Sequence, residues 1–89
     1  MTVEWEEAAL DRLADFYVAV TSEMREVIAA GIERINVQLA RDPHELGEDR
    51  GPGRRDWFSA PLVVVYDLLE GGLVLVIHVS LLSRSFRDD

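Results

Sequence analysis

Apolar residues recur along this 89-residue chain in two rhythms, a three-to-four spacing in the first half and an alternation in the second. Ala9, Leu13, Phe16, Tyr17 and Val20 form one stripe, which predicts an amphipathic helix from about Glu6 to Ala19. Glu6 and Glu7 stand in its first turn, where carboxylates favour the unpaired N–H groups. Met24, Val27, Ile28, Gly31, Ile32, Ile35 and Leu39 form a second stripe. Either Thr21 or Ser22 could cap that helix, and Asp42-Pro43 ends it, because proline lacks the N–H and restrains its predecessor. A glycine within a helix costs about 1 kcal/mol relative to alanine. Gly31 on the apolar stripe therefore predicts a close crossing of the two helices.

The rhythm then changes. Thr2–Trp5 reads as a short strand before the first helix, and three more follow a loop at 44–53: Arg54–Ser59, Leu62–Asp67 and Leu73–Ser80. Leu46 is the large apolar side chain that pins the loop. Ala60-Pro61 and Glu70-Gly71-Gly72 supply the turns. The expected architecture is α+β, in the order β-α-α-β-β-β, with two helices packed on one face of a small, mainly antiparallel sheet in a single domain spanning 1–89. The core expected from this pattern is Leu13, Ile28, Ile32, Ile35, Val64, Leu75 and Ile77.

Two helices cover one face of such a sheet, yet the last two strands are apolar on both. Val63, Val65, Val74 and Val76 are read as the second face, opposite Leu75 and Ile77. His78 and Ser80 fall with Val74 and Val76 by strict alternation. Trp57 and Phe58 point opposite ways, one to the core and one to the second face. A surplus apolar face implies a partner, either another protein or a second copy of this chain.

Charge narrows the partner class. Seventeen acidic residues oppose nine arginines and no lysine, a formal net charge of −8. Met1–Ala40 carries eight acids against three arginines, and 41–56 five against four. Nonspecific nucleic-acid binding is disfavoured, since phosphate neutralisation needs a concentrated basic patch. No apolar run approaches the ~18 residues of a membrane helix. A cytoplasmic location is the default expectation, and the absence of cysteine fits a reducing compartment. His44 and His78 lack metal-ligand spacing, and the glycines at 47, 51 and 53 lack the lysine and context of a phosphate loop, so neither a metal nor a cofactor is expected.

The candidates for chemistry are few. His78 interrupts an apolar strand and could act as a general base, or serve as a hydrogen-bonded structural side chain. Arg54, Arg55 and Arg84, with Arg50, could clamp a scissile phosphate, recognise a partner, or simply be solvated. Arg54 and Arg55 face opposite ways, so at most one can join His78. Tyr66 is read as packing with its hydroxyl at an edge, and Phe86 as a cover for an apolar patch.

The segments VEWEEAALDRLADFY, INVQLARDPHELGEDRG, GRRDWF and PLVVVYDLLEGGLVLVIHVSLLSR, in this order and spacing, resemble the RelE/ParE superfamily of toxins from bacterial toxin–antitoxin systems. The resemblance spans nearly the whole chain. It implies a toxin-like fold gripped by a small antitoxin, and an activity as either an inhibitor of DNA gyrase or a ribosome-dependent messenger-RNA endonuclease. The endonuclease pattern transfers poorly. Arg54 or Arg55 meets its basic position after the loop, but Val63 stands where the middle strand should carry arginine. Leu81 or Leu82 stands where the last strand should be basic, and Phe86 where a terminal tyrosine or histidine would complete the site. The reading favoured by these residues is a toxin-like protein that binds an antitoxin through Arg54, Trp57, Val63, Val65, Val74 and Val76. The alternatives are an endonuclease using Arg54 or Arg55 with His78 and Arg84, and a non-catalytic interaction or dimerisation module.

Overall fold

A computed structural model describes residues 1–82. The chain runs β1 (Thr2–Trp5), α1 (Glu7–Ala19), α2 (Ser22–Arg41), β2 (Glu48–Asp49), β3 (Arg54–Ser59), β4 (Leu62–Leu69) and β5 (Leu73–Leu81). The expected α+β order holds, with one two-residue strand added inside the loop. The sheet order is β1-β5-β4-β3-β2, antiparallel throughout except for the parallel pair β1–β5. Both helices lie on one face.

Local chemistry accounts for the element ends. Thr21, not Ser22, caps α2: its Oγ1 accepts the Met24 N–H at 3.1 Å. Glu6 stands just outside α1 without a side-chain cap, and its own N–H is taken by the Val76 carbonyl at 2.8 Å, which ties the start of α1 to β5. Gly47 has φ 67°, and a Cβ there would collide with the Asp56 carbonyl oxygen, so the loop turns beneath β3 only with glycine at this position. The loop is anchored from inside. The Tyr66 hydroxyl donates its one proton to the Pro43 carbonyl at 2.7 Å, and the Leu46 carbonyl lies 3.1 Å from the same oxygen. Arg55 donates to the carbonyls of Leu46 and Gly47. Tyr66 is thus a buried core residue and not one with its hydroxyl at an edge; burial raises its pKa above the ordinary phenol value.

The core is built from Ala9, Ile35, Leu39, Leu62, Val64, Tyr66, Val74, Val76 and Val79, with Leu13, Ile32, Leu46 and Trp57 packed against them; Ile28 is also fully buried. The expected Leu13, Ile28, Ile32, Ile35 and Val64 are in place. Leu75 and Ile77 are not, and the β5 assignment inverts: Val74 and Val76 have no exposed surface, whereas Leu75 and Ile77 face the other way, half-buried. The physical reason is twofold. A strand apolar on both faces carries no amplitude to say which set is inward. In addition, a β-bulge breaks the alternation, because Tyr66 pairs with Val76 while Val65 pairs with His78, leaving Ile77 as the extra residue. Gly31 also has a different role from the one expected. Its nearest neighbours beyond its own helix are Leu62 and Pro61, so its missing side chain admits the β3–β4 turn rather than helix α1.

Candidate functional site

The outer sheet face follows from the registers. Phe58 pairs with Val63, which pairs with Ser80; Asp56 pairs with Val65, which pairs with His78; Arg54 pairs with Asp67, which pairs with Leu75. These rows place Phe58, Val63, Val65 and Leu75 in one apolar patch, crossed by Asp56, His78 and Ser80 and bounded by Arg54–Asp67. Phe58 is 55% exposed, whereas Val63, Val65 and Leu75 are half-buried. A second apolar face is therefore present, as the pattern required, but its membership is corrected. Val63 and Val65 belong to it. Val74, Val76 and Trp57 belong to the core, and their places on the outer face are taken by Leu75, Ile77 and Phe58. His78 and Ser80 lie on the outer face because the bulge reverses their parity relative to Val74 and Val76.

The arginines do not converge. Arg55 points to the core side and is spent on the loop carbonyls. Arg54 makes a bidentate pair with Asp67, Nε to Oδ1 at 2.7 Å and a terminal nitrogen to Oδ2 at 2.9 Å. The carboxylate pair raises the Arg54 pKa, and the hydrogen bonds from Arg54 hold the Asp67 carboxyl below its ordinary value. Arg50 is held in the same way, with 2.9 Å contacts to both Asp56 and Glu48. An open cleft of about 400 Å³ runs beside it, lined by Gly47, Glu48, Arg50, Asp56, Trp57, Phe58 and Val63. Its one cation sits between two carboxylates, which is poor ground for a phosphate. His78 does not line this cleft. Arg84 and Phe86 lie outside the described residues.

Asp56 and Asp67 were missed as functional residues, although the signal was available. A tight turn at Ala60-Pro61 sets Ser59 opposite Leu62, and counting outward puts Arg54 opposite Asp67. A pair of opposite charges directly across an antiparallel ladder is a favoured arrangement.

A five-stranded sheet with one parallel edge pair and a helical hairpin on one face defines a fold class that solved structures share. The chain resembles the chromosomal ParDE TA system from P. aeruginosa at TM-score 0.67, 18% identity, over 93% of this chain and 97% of that one. It resembles the isolated E. coli RelE toxin at TM-score 0.62 and 24% identity, over 93% of this chain and 85% of that one. A chain of the intact E. coli RelBE toxin–antitoxin complex matches at TM-score 0.59 and 23% identity, over 93% of this chain and 98% of that one. At these identities the likeness is one of fold: the chain has the RelE/ParE-like fold. No protein-family model and no curated protein sequence matches it.

Proposed function

We propose that this chain is the toxin-like component of a toxin–antitoxin pair, that it binds a small antitoxin through its outer sheet face, and that it acts on its target by binding and not by cleaving RNA. The fold shared with the ParDE and RelE toxins supports the first part, and the neighbours seen with antitoxin support a protein partner. One observation carries the last part. Among the described residues, the two arginines nearest the outer sheet face, Arg50 and Arg54, are each held by carboxylates of this chain. A guanidinium engaged with two carboxylate oxygens has its fork occupied, so a phosphate must displace Asp67 and bear its repulsion. Inhibition of DNA gyrase, one of the two activities the family resemblance implies, needs no phosphate clamp and is the compatible one. The apolar row Phe58–Val63, with Val65 and Leu75, offers the docking patch. Arg54–Asp67 forms a polar rim that sets orientation more than affinity.

The test uses the purified chain in three assays: ribosome-dependent messenger-RNA cleavage, gyrase supercoiling, and titration with the product of an adjacent small reading frame. The expected results are no cleavage, inhibition of supercoiling, and a complex weakened at least tenfold by Val63→Asp but less by Arg54→Ala. Cleavage that falls tenfold in Arg54→Ala or His78→Ala would instead support the endonuclease reading. A tenfold fall corresponds to about 1.4 kcal/mol of transition-state stabilisation.

A further inference from the structure

Following the registers across the whole sheet fixes the charges that share the outer face with its apolar patch. Glu4 of β1 pairs with Leu75 and stands on the outer face, while its neighbours Val3 and Trp5 pack against the core. Glu48 of β2 pairs with Asp56 and stands there too, joined to Arg50 at 2.9 Å. Together with Arg54, Asp56 and Asp67, this sets four carboxylates against two arginines on one face.

Both arginines are already engaged within the chain. Asp67 neutralises Arg54, and Glu48 and Asp56 together hold Arg50. One carboxylate is therefore in surplus at the β2 side, within the Glu48–Arg50–Asp56 cluster. The other is Glu4 at the β1 side, which is exposed and makes no ion pair among the described residues. Thr2, His78 and Ser80, the other polar side chains that the registers place on this face, add no negative charge. Residues 83–89 hold two arginines and two aspartates, so their formal charges cancel. Four strand intervals separate β1 from β2, about 19 Å at the usual strand spacing, and the apolar patch lies on the strands between them.

We infer that the protein segment docking on this face is apolar in its middle and basic at both ends, with one lysine or arginine at Glu4 and another at the Glu48–Arg50–Asp56 cluster. The inference deepens the sheet-face reading above and rests on it. The apolar patch supplies the contact area, while the surplus carboxylates select the sign of what lies across it. A span of about 19 Å corresponds to roughly 13 residues of helix. An acidic segment is the wrong occupant, because it would be repelled at both ends. A second copy of this chain is equally wrong, since it would set the same surplus against itself.

The probes are two fluorescein-labelled helical peptides with one Leu/Ala middle, one ending in lysines and the other in glutamates. Titrated against the full chain at low salt, the Lys-ended peptide should saturate at one per chain and the Glu-ended peptide should not bind. Glu4→Gln combined with Glu48→Gln removes the surplus and should weaken Lys-ended binding at least tenfold. Glu26→Gln with Glu33→Gln removes the same charge from α2, on the helical side of the sheet, and should leave binding within twofold. All four glutamates are exposed, so thermal melts matching the parent show that these variants are folded. Val63→Asn, which disturbs the apolar patch without adding charge, should also weaken binding at least tenfold. Failure of the Lys-ended peptide to bind, equal binding of both peptides, or equal losses in the two glutamine pairs would overturn the inference. So would a parent chain that dimerises through this face and becomes monomeric in Val63→Asn. Titration with the product of an adjacent small reading frame separates the two claims. If Val63→Asp weakens that complex and Glu4→Gln with Glu48→Gln does not, the charge inference fails while the sheet-face reading stands. If neither variant weakens it, both fail.

Discussion

Replacing Val76 with aspartate and replacing Val63 with aspartate should have very different consequences, although both valines sit in apolar strands of the same sheet. Val76 has no exposed surface and packs with Tyr66, its partner on β4. Removing it forfeits about 2 kcal/mol of apolar burial. Burying a polar group without partners costs roughly 1–3 kcal/mol more. The sum, roughly 3–5 kcal/mol, is a large part of the about 4–13 kcal/mol that a chain of 89 residues commands. At about 4–8 °C per kcal/mol, Val76→Asp should melt at least about 12 °C below the parent. Val63 is half-buried on the outer face between Phe58 and Ser80, and its aspartate variant should lose no more than about 1 kcal/mol. Circular-dichroism melts at pH 7 measure both. Equal losses, or a larger loss at Val63, would mean that the sheet faces are assigned the wrong way round.

Tyr66→Phe should cost about 1–2 kcal/mol, because the Pro43 carbonyl loses its buried donor, and faster hydrogen exchange should be confined to residues 42–47. The parent's raised Tyr66 pKa adds a pH signature: its stabilising effect is complete below the ordinary phenol pKa near 10 and is lost as pH rises through the higher folded value, a loss the Phe variant should not show. Gly47→Ala should destabilise by about 2–4 kcal/mol, through positive φ and overlap with Asp56. Gly71→Ala, with a similar φ and nothing within 4 Å, should cost about 1–2 kcal/mol; equal melting temperatures would refute the steric part. The acid side has its own signature at Asp67, whose carboxyl is held low by Arg54: the pair's contribution is present above the ordinary aspartate pKa near 3.9 and is lost as pH falls through the lower folded value. Asp67→Asn should flatten that part of the acid titration.

Much of the architecture was legible because each rhythm had one physical interpretation. The helix stripes, the Thr21 region, Asp42-Pro43 and the Gly71-Gly72 turn located the elements to within a few residues. The sheet faces were not legible in β5, where Leu, Val and Ile occupy both parities and the extra residue at Ile77 leaves no trace in composition. The same bulge moved His78 away from the valines with which alternation grouped it. Arg54 and Arg55 were correctly read as opposed, but that one would be spent on Leu46 and Gly47 depends on where the loop passes, which no local pattern encodes.

The parallel pairing of β1 with β5 also dictates an order of assembly. Thr2 meets Leu73 and Trp5 meets Val76, so the first strand is stitched to the last across both helices, the loop and the whole meander. Closing so long a circuit early carries a large entropic penalty, whereas β3–β4 and β4–β5 close through tight turns and can zip at once. The central hairpin is therefore the natural seed, and β1 is a latch that shuts when the rest is in place. Until it shuts, the edge of β5 lies open, exposing the unpaired backbone of one of the most apolar strands in the chain to any strand that arrives first. Pulse-labelled hydrogen exchange during refolding should find the amides of Leu68 and Leu82, which donate to Gly53 and Pro61, protected before those of Thr2 and Glu6, which donate to Gly72 and Val76. Simultaneous protection would mean that latch and seed form as one.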